Sequence, residues 1–149
     1  MLSKTTKIIY AMLNLIGLLA VIAVNAMATL LPLNNITTGE LSDKYPNLFV
    51  PAGITFSIWG VIYLFLLLFV IYQFVAALRK STGERGIFEK IGLLFFVSCI
   101  FNIAWILAWH YELVLLSLVI MLLLLLTLIT IYIRLQTGRP GIKIMKKSL

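Results

Sequence analysis

The sequence predicts an all-α protein, a polytopic bundle of transmembrane helices with spans at residues 8–31, 52–78, 91–109 and 113–133. Three observations lead there. Of the 149 residues, 62% are hydrophobic and 11% charged, against about 45–50% and about 25% in a soluble domain. A chain of this length cannot hide that excess in a core, so lipid has to be part of its solvent. Four stretches come close to or exceed the ~20 apolar residues that cross a bilayer. The basic residues, finally, gather on alternate connections, as they do between membrane spans.

The first span runs from Ile8 to Leu31 and is closed by Pro32. Lys4 and Lys7 followed by an apolar run and Ala26-Met27-Ala28 resemble a cleavable signal. The run exceeds the about 7–15 residues of a signal core, and Asn14 and Asn25 interrupt it, which favours an uncleaved helix. The connection 32–50 carries Pro46, Tyr45 and Phe49 and reads as an ordered loop lying over the mouth of the bundle. Pro51 opens the second span, a proline position compatible with a helix start. Ser81 to Gly86 reads as a solvated turn before the third span. Residues 110–112 are too few to do more than turn into the fourth, whose Leu122–Leu126 is an unbroken leucine run. A basic tail, 134–149, follows, and the whole chain reads as one integral membrane domain.

Charge orients the bundle. Lys4 and Lys7, then Arg79, Lys80, Arg85 and Lys90, then Arg134, Arg139, Lys143, Lys146 and Lys147 all fall on one side, leaving Lys44 alone on the other. The positive-inside rule makes that side cytoplasmic and puts both termini there. The same rule accounts for the net charge of +7 without nucleic acid, which is not an expected partner. Cys99 and His110 are the single cysteine and histidine. They supply no internal disulfide and no metal site, and no metal ligands are assigned.

Polar groups inside a span are costly and face protein or a cavity. Asn25, Trp59 and Asn102 each lie six or seven residues from the outer end of their spans, which is roughly 10 Å below the surface. Phe56, Trp59 and Tyr63 share one face of the second span, and Asn102, Trp105 and Trp109 share one face of the third. Trp109 fits an interfacial anchor, whereas Trp59 and Tyr63 lie too deep for that role. Two readings remain for the amides, pocket lining and interhelical packing. A second polar layer, Asn14, Gln73, Ser98 and Thr127, lies toward the inner side. No ionisable Asp, Glu, Lys, Arg or His falls inside a predicted span, which weakens a proton pump or secondary transporter. No nucleophile–base pair or Gly-rich phosphate loop is present, so no catalytic residue is assigned and an enzyme is not the favoured class.

On two motifs the chain resembles the TspO/MBR family, the tryptophan-rich sensory proteins related to the mitochondrial translocator protein. The first is Pro51 with Trp59 and Tyr63; the second is Asn102-Ile-Ala-Trp105 followed by Trp109. The resemblance implies a pocket for tetrapyrroles or other flat hydrophobic ligands, below the first long loop. Carried onto this sequence, it makes Asn25, Phe49, Pro51, Trp59, Tyr63, Asn102 and Trp105 the candidate ligand-binding residues. Two departures stand out. Val50 replaces the family's second proline, and no fifth span follows the fourth, so the chain reads as a version truncated before the family's fifth helix. Cholesterol recognition, which the family's animal members place in that helix, is not carried over.

The functional expectation is a membrane-embedded binding protein, sensor or transporter-like protein for a flat, tetrapyrrole-like ligand. The alternative is a small structural or permease-like subunit of a larger membrane complex. No resident cofactor is expected, a porphyrin- or haem-like molecule being the ligand that the resemblance implies. The expected partners are membrane lipid, a hydrophobic small molecule and a second copy in a homodimer. The expected location is the plasma (inner) membrane of a prokaryote.

Overall fold

The computed structural model describes residues 2–31, 33–45, 58–78 and 85–135, all helix, turn or short connection, with no strand among them. Helix α1 spans Lys4–Leu30. Ser3 caps it by accepting the Thr6 N–H at 3.0 Å. It ends because Leu31 is held extended (φ −114°, ψ 131°), the conformation imposed on a residue that precedes proline. A single 3-10 turn, Leu33–Asn35, leads to the short helix α2, Thr38–Asp43. Helix α3 is described over Ile58–Leu78, α4 over Arg85–Ile91, α5 over Leu94–His110 and α6 over Val114–Leu135.

Three of these helices, α1, α3 and α6, are long and apolar enough to cross a membrane; α5 is apolar but has 17 residues. The third predicted span, 91–109, is therefore revised. Gly92 adopts φ +52° and its N–H closes α4 on the Phe88 carbonyl at 2.9 Å, a left-handed cap suited to glycine. A continuous helix cannot run through it, and α5 begins two residues later. Arg85 and Gly86, expected in a solvated turn, instead begin α4. Phe88 and Ile91 on α4 are buried, and α4 packs against α6.

Helix α1 lies against both α3 and α5, and α5 against α6. The second and third spans thus both pack on α1 and touch each other through aromatic side chains, Phe69 on Phe95 and Trp59 on Trp105. Leu18 and Val21 from α1, Val70 from α3, Ile91 from α4, and Phe95 and Cys99 from α5 form the central apolar cluster. Gly17 allows α1 to come close: a Cβ there would sit 2.9 Å from Phe96 Cδ2 and 3.2 Å from Cys99 Cβ. Small residues serve helix contacts in lipid in this way, because dispersion contact, and not water exclusion, holds the helices together.

The inner polar layer divides in two. Asn14 Nδ2 donates to Gln73 Oε1 at 2.9 Å and ties α1 to α3, both side chains being buried. Ser98 and Thr127 instead donate to Phe95 and Leu123 carbonyls in their own helices, the usual solution for a hydroxyl in lipid. The outward face of α6 exposes Leu115, Leu118, Leu122 and Leu126, which suits a surface solvated by acyl chains.

Candidate functional site

At one end of the bundle α1, α3 and α5 bring their aromatic and amide side chains to a common level. Trp59 is near the described start of α3, and Tyr63 lies one turn below it. Their rings stack with centroids 6.0 Å apart and planes at 25°. Trp105 of α5 reaches across to Trp59, centroids 6.2 Å apart and planes at 35°. Both separations fall in the range where aromatic rings attract. The three rings form a continuous apolar wall.

The amides complete it. Asn25 Nδ2 donates to the Val21 carbonyl at 2.9 Å and to Asn102 Oδ1 at 2.9 Å. A carbonyl can only accept, so the Val21 contact fixes which way the Asn25 amide faces and, through it, the orientation of Asn102. The bond crosses between α1 and α5, as interhelical packing requires. Yet it uses only the nitrogen of Asn25: Oδ1 has no partner among the described residues. The Tyr63 hydroxyl is closed off from solvent, faces the Asn102 side chain and makes no hydrogen bond of good geometry. Among the described residues, the Asn25 oxygen thus lies beside the aromatic wall with bonding capacity unused.

A cavity of about 300 Å³ opens on this wall. Trp59, Trp105 and Ile106 give its apolar side, and Asn25 and Thr29 its α1 side. Thr37, Thr38 and Gly39, at the start of α2, close its mouth. Of the seven residues singled out from sequence, Asn25, Trp59 and Trp105 line the cavity; Tyr63 and Asn102 do not line it but stand behind it, stacked on Trp59 and hydrogen-bonded to Asn25; Phe49 and Pro51 lie outside the described residues, as do Pro46 and Phe56. Thr29 and Ile106 went unnoticed although each sits four residues beyond a selected asparagine, on the same helix face. The α2 residues were also missed. Thr37 and Glu40 form a reciprocal capping box, Thr37 Oγ1 accepting the Glu40 N–H and Glu40 Oε2 accepting the Thr37 N–H. Their Thr-x-x-Glu spacing was the available signal. The Thr37 backbone N–H, then its hydroxyl, hold the Glu40 carboxyl below its usual range.

The half of the loop that is described is anchored by the α5–α6 turn, which does more than reverse the chain. Lys44 Nζ pairs with Glu112 Oε1 at 2.5 Å, and Tyr45 donates its hydroxyl to Glu112 Oε2 at 3.0 Å. Glu112 reaches them from a left-handed backbone, φ 55°. Tyr45 also packs on Trp109, ring centroids 5.8 Å apart, so the residue read as an interfacial anchor is a loop anchor as well. Asn34, itself at φ 56°, donates to the His110 carbonyl at 3.0 Å.

Lys44, then Tyr45, hold the Glu112 carboxyl below its ordinary range, and Glu112 holds Lys44 above its own. The carboxylate's contribution is present above the ordinary carboxylate range and is lost as pH falls through the lowered value. The ammonium's contribution is present below the ordinary lysine range and is lost as pH rises through the raised value. The pair therefore acts across neutral pH, and salt screens it. Glu112→Gln should speed tryptic cleavage after Lys44, and raising the salt should do the same to the wild type but not to the variant. Equal cleavage of both proteins at low salt would show that Asn34, Thr38 and Tyr45 hold the segment without the pair.

Among the described residues no group of three His, Cys, Asp or Glu side chains is placed to hold a metal ion. Comparison with known proteins gives a single kind of match. No curated protein and no solved structure matches the chain. The model of one family, described as TSPO-like protein, matches residues 11–148.

Proposed function

The chain belongs to the TSPO-like protein family, and from that membership and the cavity we propose that it binds a flat, hydrophobic, tetrapyrrole-like ligand within the membrane. It is a multi-pass membrane protein of TspO type. The observation that carries the ligand reading is the aromatic wall of Trp59, Tyr63 and Trp105 set beside an Asn25 oxygen that has no partner among the described residues. A planar π-system lies face-on against indoles, and an N–H on its edge satisfies one amide oxygen. Ligand pockets combine a large apolar lining with a few convergent polar groups in this way.

The volume limits the ligand. About 300 Å³ is the lower end of the range for small-molecule pockets. It accepts one edge of a macrocycle, the remainder lying under α2 or toward lipid. Protoporphyrin IX in detergent micelles should quench tryptophan emission saturably, and an aliphatic acid of similar apolarity should not compete. Competition by the aliphatic acid would reduce the cavity to a nonspecific greasy cleft.

Orientation belongs to the same proposal. With eleven of the twelve basic residues on the side opposite Lys44, we place both termini in the cytoplasm of a prokaryotic cell and the cavity mouth outside. In a Cys99→Ser background, an impermeant thiol reagent applied to intact cells should label Ser42→Cys and leave Gly83→Cys untouched. Labelling of position 83 instead would invert the topology.

A further inference from the structure

His110, the only histidine of the chain, is completely buried at the end of α5. Both ring nitrogens are engaged. Nδ1 lies 2.9 Å from the Ile106 carbonyl, which can only accept, so Nδ1 carries a hydrogen. Nε2 lies 3.4 Å from Thr38 Oγ1. That hydroxyl also lies 3.1 Å from the Ala28 carbonyl, and it has one hydrogen to give. Ala28 is four residues before Pro32. Proline has no N–H, so the Ala28 carbonyl has no helical donor to expect from that position. Being attached to a buried residue, it needs the Thr38 hydroxyl.

Counting hydrogens then decides the matter. With a neutral ring, Nε2 and Thr38 Oγ1 face each other as two acceptors, or the Ala28 carbonyl loses its donor. With a charged ring, Nε2–H donates to Thr38, Thr38 donates to Ala28, and Nδ1–H donates to Ile106; all three contacts are satisfied together. Thr38 is a residue of α2 and lines the cavity mouth. We propose that His110 and Thr38 form a proton-operated latch that fastens α2 over the cavity when the imidazole is charged and loosens it when the imidazole is neutral. The proposal rests on the binding reading only for what the latch controls, which is exchange through the mouth.

Other charged and titratable groups at this end are Glu40, Asp43, Lys44 and Tyr45 in and after α2, and Tyr111 and Glu112 after α5. The Lys44–Glu112 pair is internally neutral and Glu40 is turned to Thr37. Tyr63, deeper in α3, is the only titratable group of the described α3 segment at this end, and α1 and α6 bring none there. Imidazole is the side chain whose charge changes in the physiological range. Because the fastened state holds the proton, fastening strengthens as pH falls through the ring's titration and weakens as pH rises through it. Acid protonation of Glu112 acts in the opposite sense and in a lower range, since its carboxyl is held down by Lys44.

The test needs no ligand, so its failure leaves the binding reading standing, and the converse holds too. The single imidazole is followed by NMR in micelles while hydrogen exchange of the α2 amides of Leu41 and Lys44 is measured and corrected for intrinsic base catalysis. Between about pH 8 and 5, α2 protection should rise by about tenfold or more, in step with the imidazole signal. Thr38→Val should abolish the step while the ring still titrates; His110→Gln should also abolish it; Glu112→Gln should keep it. If His110→Gln does not fold, the near-isosteric Thr38→Val carries the test. An imidazole that stays neutral over this range, a protection step absent from the wild type, or a step surviving in Thr38→Val would each overturn the latch.

Discussion

Trp105→Phe should weaken the binding of protoporphyrin IX by roughly 1–2 kcal/mol, about 5- to 30-fold in Kd. Trp105 supplies one wall of the cavity and holds Trp59 at 6.2 Å. A smaller ring loses stacking area against the ligand and leaves the Trp59 indole without its neighbour. Trp109→Phe should change Kd much less, because Trp109 packs against Tyr45 and does not line the cavity. Its effect should appear instead in cleavage after Lys44. A quenching titration of the two variants side by side separates these roles. Equal losses, or none from Trp105→Phe, would leave the aromatic wall as packing and favour a structural subunit.

Gly17→Leu should produce the largest loss of stability. A Cβ at this position already meets Phe96 and Cys99 closer than ordinary contact allows, and three further carbons have nowhere to go while α1 and α5 stay in place. Overpacking of this kind costs about 1–3 kcal/mol and occasionally more. Gly17→Ala adds one carbon, which requires the Phe96 ring to shift and Cys99 Cβ to give slightly, and should cost less. The damage should also reach the cavity. Asn25 lies eight residues along α1 from Gly17, so forcing the helices apart lengthens the Asn25–Asn102 hydrogen bond that closes one side of it. Thermal unfolding in micelles should rank wild type, Gly17→Ala and Gly17→Leu in that order, with ligand binding following the same order. An unchanged Tm for Gly17→Leu would mean that α1 and α5 are not held at this spacing.

The helices were readable because lipid imposes a simple rule, long apolar runs with their polar atoms satisfied inside. Pro32 stopped α1 for a reason visible in one residue. The level shared by Asn25, Trp59 and Asn102 was readable too, since helical rise is constant. What escaped depended on contacts between distant segments. Nothing local says that α1 sits between α3 and α5; the clue was Gly17, whose value lies in what it permits Phe96 and Cys99 to do. Gly92 stands inside an apolar run, and its left-handed backbone, which the run does not announce, separates α4 from α5. His110 looked idle because Thr38, its partner outside α5, and Ala28, which Thr38 also bonds, are 72 and 82 residues away in the chain. The α2 helix had its capping box in plain view, but six residues are too few for periodicity to announce them.

The central claim is that a flat ligand occupies the cavity bounded by Asn25, Thr29, Trp59 and Trp105. Thr29 tests it most directly: it lines the cavity, and its hydroxyl bonds only its own helix, at the Asn25 carbonyl. Thr29→Phe therefore fills the space and leaves every tryptophan and both amides in place. Protoporphyrin IX is titrated into wild type and variant of equal thermal stability, and tryptophan emission is read. The saturable quenching of the wild type should disappear in Thr29→Phe, leaving only a linear, nonspecific decline. An unchanged Kd in the filled variant would contradict the account and place the ligand elsewhere on the protein.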